Sequence, residues 1–292
     1  MKLEVIILAA GQGTRMKSPL PKVLHTVAGR PMLQHVVETT QQLDPHAIHV
    51  VVGHGGDQVR EALEDYPISW VDQYEQLGTG HAVLQALPAV DEDSIVLVVY
   101  GDGPLITAET LAGLAEMAVD APALLTAQVS DPAGYGRIIR DPQGGLQAVV
   151  EHKDASPDQL VIDEINTGVL AAPNADFAHY LPRVGNANSQ GEYYLPDVLA
   201  MAVADGKPVA TRLANSELEI LGVNDRVQLA AGEREYQRQQ AEALMRAGVA
   251  VADPARLDVR GPLACGNGVS VDVNVVFEGR VVLGDGVSVG PN

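Results

Sequence analysis

From Leu257 to Asn292 the chain divides into blocks of six residues, each opening on an aliphatic side chain: Leu257, Leu263, Val269, Val275, Val281 and Val287. The third position of each block is again apolar, with Val259, Cys265, Val271, Phe277, Leu283 and Val289. Ordinary strand alternation does not hold so many blocks in phase, whereas the hexapeptide repeat of a left-handed parallel β-helix does, at three blocks per coil. These blocks make about two coils, fewer than the roughly three units and a cap that a solenoid needs. A shortened form of a longer chain is therefore expected. Just before them, Arg226–Ala247 is polar and helix-forming with a thin apolar stripe, which predicts a long linker helix. The organisation expected is a large domain over 1–226, the linker over 227–247 and the first coils over 248–292.

The large domain reads as α/β. Apolar runs at Val5–Ala10, Ile48–Val52, Ile68–Val71, Ile95–Tyr100 and Ala123–Val129 alternate with helix-period segments at Met32–Leu43, Asp57–Leu63, His81–Leu87 and Thr110–Val119. Such alternation predicts a doubly wound, Rossmann-like parallel sheet. Ligands of such sheets lie beyond the carboxyl ends of the strands, so the loops Gly11–Lys22, Gly53–Gly56, Gln73–Gly80 and Gly101–Asp102 are expected to meet at one crevice. Past Arg137 the strands shorten, and Arg137–Arg140 and Leu146–Glu151 flank a Pro142-Gln-Gly-Gly145 turn, which predicts a hairpin subdomain over that crevice.

The first loop, Leu8-Ala-Ala-Gly-Gln-Gly-Thr-Arg-Met-Lys-Ser-Pro-Leu-Pro-Lys22, follows a buried-strand pattern. Gly11 and Gly13 permit a tight bend whose N–H groups face phosphate oxygens, and Arg15, Lys17 and Lys22 add positive charge. It is not a Walker A loop, since no Gly-Lys-Ser/Thr follows, nor a dinucleotide fingerprint, since Met16 stands at the third glycine position. Asp102, at the end of a central strand, suits either a magnesium ion shared with substrate phosphates or the cap of the next helix. Gln73 carries a carboxamide able to donate and accept at once, or is a plain surface strand-end residue.

With 19 basic against 38 acidic residues the formal charge is −19, which argues against a nucleic-acid partner. No leader or membrane span is visible, and Cys265 alone forms no intrachain disulfide, so a cytoplasmic protein is expected. His35, His46, His49 and His81 show no metal-ligand spacing and read as structural.

Together with Gln73-Tyr-Glu-Gln-Leu-Gly-Thr79, Tyr100-Gly-Asp102, Gly134-Tyr-Gly-Arg137, Glu151-His-Lys153, Glu164-Ile-Asn-Thr-Gly168 and Gly222-Val-Asn224, the first loop resembles sugar-1-phosphate nucleotidylyltransferases. The hexapeptide tail extends the likeness to the bacterial bifunctional N-acetylglucosamine-1-phosphate uridyltransferase/glucosamine-1-phosphate acetyltransferase family. That resemblance implies transfer of UMP from UTP to N-acetylglucosamine 1-phosphate, giving UDP-N-acetylglucosamine and pyrophosphate. It implies Mg²⁺ held by Asp102 and Asn224, with Arg15, Lys22 and Asp102 as the catalytic groups. The nucleotide would lie along Leu8, Ala9, Ala10 and Gly11, against Gln73, Gly78 and Thr79, and beside Tyr100 and Gly101. The sugar would meet Gly136, Glu151 and Asn166, with Tyr194 as a wall. The family assembles as a homotrimer, and its acetyl-transfer site lies in later coils than these. Two positions depart from the family pattern: Gly103 stands in place of valine, which is expected to loosen the backbone beside Asp102, and Pro196 in place of threonine. Readings kept alongside are a non-catalytic nucleotide-sugar sensor, an enzyme for glucose 1-phosphate, and a stand-alone hexapeptide acyltransferase.

Overall fold

A computed structural model describes residues 2–292. The first half runs β1 (Lys2–Ala9), a small ladder β2 (Thr26–Val27) with β3 (Arg30–Pro31), α1 (Met32–Gln41), β4 (Ala47–Val52), α2 (Gly56–Ala62), β5 (Ser69–Asp72), α3 (Thr79–Ala86), β6 (Ser94–Tyr100), α4 (Ala108–Met117) and β7 (Ala123–Gln128). The hairpin β8 (Arg137–Arg140) and β9 (Leu146–Val150) follows, then α5 (Pro157–Leu160), β10 (Glu164–Pro173), α6 (Asn174–Tyr180), α7 (Asp197–Ala204) and β11 (Ala210–Leu213).

Apart from the separate β2–β3 ladder, these strands form one sheet in the order β11-β7-β10-β6-β1-β4-β5, with the hairpin joined through β8 to β10. At the centre, β1 pairs in parallel with both β4 and β6. Because successive side chains of a strand point to opposite faces, Val5, Ile7 and Ala9 enter one core and Ile6, Leu8 and Ala10 the other. The first core is closed by α1, α2 and α4 through Val36, Val59 and Leu111, the second by α3, α6 and α7 through Val83, Phe177 and Leu199. The double winding read from the sequence is thus present. The sheet is not uniformly parallel, however: β10 runs antiparallel to both β6 and β7. After the hairpin the chain returns from the carboxyl edge of the sheet, so its next strand must run backwards.

The 21-residue α8 (Arg226–Arg246) begins at Asp225, whose carboxylate accepts from the N–H groups of Val227 and Gln228 at 2.9 Å each. It is tied to the sheet domain where Glu233 accepts from the Ala28 N–H at 2.6 Å. Toward the coils, the Gln237 carboxamide bonds both the N–H and the carbonyl of Val259, at 2.6 and 3.1 Å. The hexads pair in parallel at an 18-residue offset: Leu257 lies beside Val275, Leu263 beside Val281 and Ser270 beside Ser288. Three blocks per coil is therefore the observed repeat, and Leu257, Val259, Val269, Val271, Val275 and Phe277 fill its interior. These strands are the start of a β-helix.

At the amino edge of the sheet, opposite the crevice, the Glu4 carboxylate is 1 % exposed and bonds His49 Nε2 at 2.8 Å, the Ser94 hydroxyl at 2.7 Å and the Asp91 N–H at 3.0 Å. Burial alone would raise its pKa, but those hydrogen bonds outweigh burial and hold the carboxyl below the usual carboxylate range. A lowered folded-state pKa gives stability that is complete above the unfolded value of about 4.3 and drains away as pH falls through the lower folded value. Glu4→Gln is expected to cost about 1–3 kcal/mol at pH 7 and to flatten the acid limb of the stability curve. Urea unfolding from pH 7 to pH 3 checks this, and an unchanged acid limb contradicts it.

Candidate active site

The parallel strands β1, β4, β5 and β6 end at one side of the sheet, and the reversed β10 begins there. Between them lies a cleft of about 410 Å³ lined by Leu8–Gly11, Lys22, Gln73, Gly78, Thr79, Tyr100, Asp102 and Asn224. That volume suits a nucleotide-sized ligand. Gly13 shapes the approach: at φ 61° its backbone is left-handed, and a Cβ there would stand 2.6 Å from the Lys22 Cβ. Gly11, in contrast to the expectation of a tight bend, has no such φ, and a Cβ there would meet nothing within 4 Å. Its lack of a side chain keeps the cleft open rather than bending the loop.

Lys22 is the organising cation. Its ammonium forms an ion pair with Asp102 and also donates to the Asn224 carboxamide oxygen at 3.1 Å, with both side chains of the ion pair less than 15 % exposed. The Asn224 orientation is set by donation of its Nδ2 to the Gly222 carbonyl at 3.1 Å, and the Val223 N–H donates to the Asp102 carbonyl at 2.9 Å. A carboxylate oxygen and an amide oxygen therefore converge on one positive charge. Oxygen donors in so small a set fit a hard divalent cation that keeps water and substrate oxygens in its shell, so the residues fit the magnesium site that the resemblance implies.

The β10 strand bulges between Asn166 and Leu170, and the bulge carries Thr167 and Val169 into the cleft. Gly168, at φ 79°, sits against Tyr100: a Cβ there would lie 2.4–2.8 Å from the ring and hydroxyl. Burial pushes the Tyr100 hydroxyl far above its ordinary pKa, with the charges of Asp102 and Glu151 adding to the shift. Gly101, on the same strand end, donates its N–H to the Leu8 carbonyl at 3.0 Å and is packed under the cleft rather than lining it.

The three residues assigned to the sugar also come together, beside the cleft. Asn166 donates its N–H to the Gly136 carbonyl at 2.8 Å, and a Cβ on Gly136 would lie 3.0 Å from Glu151 Oε1. Glu151 borders a second cavity of about 440 Å³ with Tyr194, Pro196 and Asp197. Burial, then the charges of Asp197 and Asp154, raise the Glu151 carboxyl, against an opposing Asn166 hydrogen bond. Arg15 is not brought in. It is exposed on the turn Thr14–Met16 and has no side-chain partner among the described residues. At Gly103 a Cβ would approach only the Tyr100 carbonyl, at 3.8 Å, so the missing valine leaves space beside Asp102 rather than a forced backbone.

Gln76 and Tyr135, inside quoted motifs but given no role there, also line the cleft, and Glu192, Glu219 and Ile220 line it without any local signal. Glu219 is 4 % exposed and accepts from the Thr107 hydroxyl at 2.6 Å, bracing the loop that follows Asp102.

The sequence from 5 to 162 matches the family model described as the MobA-like NTP transferase domain. A bifunctional protein GlmU of Marinobacter nauticus is 56 % identical over 99 % of this chain and 64 % of its own length. One of Stutzerimonas stutzeri is 56 % identical over 100 % and 65 %. The chain thus spans about two thirds of the length of these relatives, slightly under that fraction. A UDP-glucose pyrophosphorylase solved with UDP-glucose superposes with TM-score 0.68 at 17 % identity, covering 82 % of this chain and 100 % of its own. A nucleotidyl transferase of Methanothermobacter does so with TM-score 0.58 at 20 % identity, over 82 % and 99 %. At those identities the likeness is one of fold.

Because an added methyl at Gly168 collides with Tyr100 and strains the backbone, Gly168→Ala is expected to cost about 1–3 kcal/mol and to lower transferase turnover at least tenfold. Thermal melts and steady-state rates check both, and wild-type turnover in the variant contradicts the assigned role of the bulge.

Proposed function

The chain belongs to the MobA-like NTP transferase family, and from that premise we propose that it transfers UMP from UTP to N-acetylglucosamine 1-phosphate. The products are UDP-N-acetylglucosamine and pyrophosphate. The observation that carries this reading is the convergence of Lys22, Asp102 and Asn224 on one point at the edge of a nucleotide-sized cleft. The relatives' name as bifunctional proteins, with the stacked coils, supports a second activity in the whole protein, acetylation of glucosamine 1-phosphate by acetyl-CoA. Outward-facing Val276 and Val282, both more than half exposed on two different faces of the coil, support assembly through the coils as a homotrimer. No helix of the described residues is long and apolar enough to cross a membrane, and we assign the reaction to the cytoplasm, where its nucleotide substrate is made.

The attacking phosphate oxygen arrives already ionised, so the site needs no general base, and rate enhancement comes from alignment and charge neutralisation. Two like charges about 4 Å apart repel by roughly 4 kcal/mol at an effective dielectric near 20. In a chain of formal charge −19, local cations must offset that repulsion. Asp102 and Asn224 would hold Mg²⁺, which when bound supplies positive charge to the nucleotide phosphates. Lys22, whose ammonium rests on Asp102 and Asn224 at the same edge of the cleft, adds neutralising charge to the phosphates, and the exposed Arg15 is free to reach the pyrophosphate that leaves. Leu8–Gly11 line the nucleotide with backbone, and Gln73, Gly78 and Thr79 flank the base. Glu151, Asn166 and Gly136 offer acceptors and donors to the sugar hydroxyls, with Tyr194 against the acetamido group.

Asp102→Ala is expected to reduce pyrophosphate release about 10²–10³-fold while far-UV circular dichroism stays unchanged. Retention of most activity contradicts the metal assignment. The substrate reading is tested by pyrophosphate release with UTP, dTTP and CTP crossed against glucose, glucosamine and N-acetylglucosamine 1-phosphates. Turnover is expected for the pair UTP and N-acetylglucosamine 1-phosphate above all others, and a better pair overturns the assignment.

A further inference from the structure

The Gln73 side chain is 3 % exposed and lines the cleft, yet both of its amide protons are engaged within the protein. Its Nε2 lies 3.1 Å from the Gly78 carbonyl and 3.0 Å from His81 Nδ1. A carbonyl cannot donate, so the atom facing Gly78 must be the NH₂ group, which settles the direction of the carboxamide without reference to the imidazole. His81 Nδ1 must then accept, and its proton sits on Nε2. That nitrogen lies 3.2 Å from the Gln85 carboxamide, whose oxygen receives the proton after a half-turn of the amide. Gln73 Oε1 is left with no partner among the described residues, and it is not sealed from the cleft.

Resting on the uridyl-transfer reading above, we propose that His81 is a specificity-determining positioning residue. With the Gly78 carbonyl holding one amide proton, His81 accepts the second, so the carboxamide keeps no free donor and presents only its oxygen to the pyrimidine edge. An acceptor at that place pairs with the N3–H of uracil and faces the unprotonated N3 of cytosine lone pair to lone pair. The histidine never touches the base. Its position at the first turn of α3, beside the Tyr193 ring at 6.5 Å between centroids, holds the imidazole against Gln73. His81, which reads from the sequence as structural, thereby acts on substrate choice through one hydrogen bond.

Three proteins decide the matter: the wild type, His81→Leu, which removes the acceptor, and His81→Asn, whose side-chain oxygen replaces Nδ1. The readout is the ratio of kcat/KM for UTP to that for CTP. The ratio is expected to fall about three- to tenfold in His81→Leu, the range of one neutral hydrogen bond, and to be kept within twofold in His81→Asn. The KM for the sugar phosphate should not move in either. In the wild type, ¹⁵N-histidine NMR should report an unprotonated Nδ1 and a protonated Nε2. An unchanged UTP/CTP ratio in His81→Leu, an equal fall in both variants, or a proton on Nδ1 each overturns the proposal, and the NMR result stands even if a variant fails to fold. A wild type that shows no preference for UTP would instead remove the uridyl-transfer reading and this inference with it.

Discussion

One half-buried ammonium joins the parts of this molecule that have to meet. Lys22 lies 80 residues from Asp102 and 202 from Asn224 in the chain, yet its side chain touches both. Those contacts close the loop after the first strand onto the end of the central strand and onto the residue just before α8. A charge so little exposed is stable only with a partner, because desolvation otherwise costs several kcal/mol. The same residues are therefore held in place by the cation that their chemistry requires, and the arrangement survives in an otherwise strongly acidic chain.

The helix that starts at Asp225 carries this arrangement outward. Gln228 accepts from the Asn224 N–H at 2.7 Å, one turn further Glu233 holds Ala28, and Gln237 grips the first coil at Val259. A single rigid element thus runs from a residue of the site to the β-helix. Its thin apolar stripe packs Leu229 and Tyr236 against Val27 and Met32, and Ala241 and Leu244 against the coils, and the polar contacts at both ends add to that burial.

Much of this was legible in the chain itself. The six-residue period predicted the 18-residue register, and the five apolar runs became β1, β4, β5, β6 and β7 within a few residues of their expected limits. The loops at Leu8–Lys22, Gln73–Thr79 and Asp102 meet at one cleft, as strand ends of a doubly wound sheet should. The reversed strand β10 was not legible. Its first half is polar and interrupted by Gly168, which hides the strand period, and no local pattern states in which direction a strand runs. The bulge at Thr167–Val169 and the bracing role of Glu219 escaped for the same reason, since each depends on partners distant in sequence. The role of His81 was hidden differently: a histidine opening a helix looks ordinary until the carbonyl of Gly78 fixes the amide beside it.

The central claim is that the oxygens of Asp102 and Asn224, joined by Lys22, form the cation seat beside the nucleotide. Anomalous diffraction from crystals grown with Mn²⁺ and a non-hydrolysable UTP analogue measures it most directly. The account predicts a manganese peak within coordination distance of Asp102 Oδ2 and Asn224 Oδ1, with the Lys22 ammonium moved onto a phosphate oxygen. A peak elsewhere in the cleft, with the Lys22 ion pair undisturbed, would contradict it.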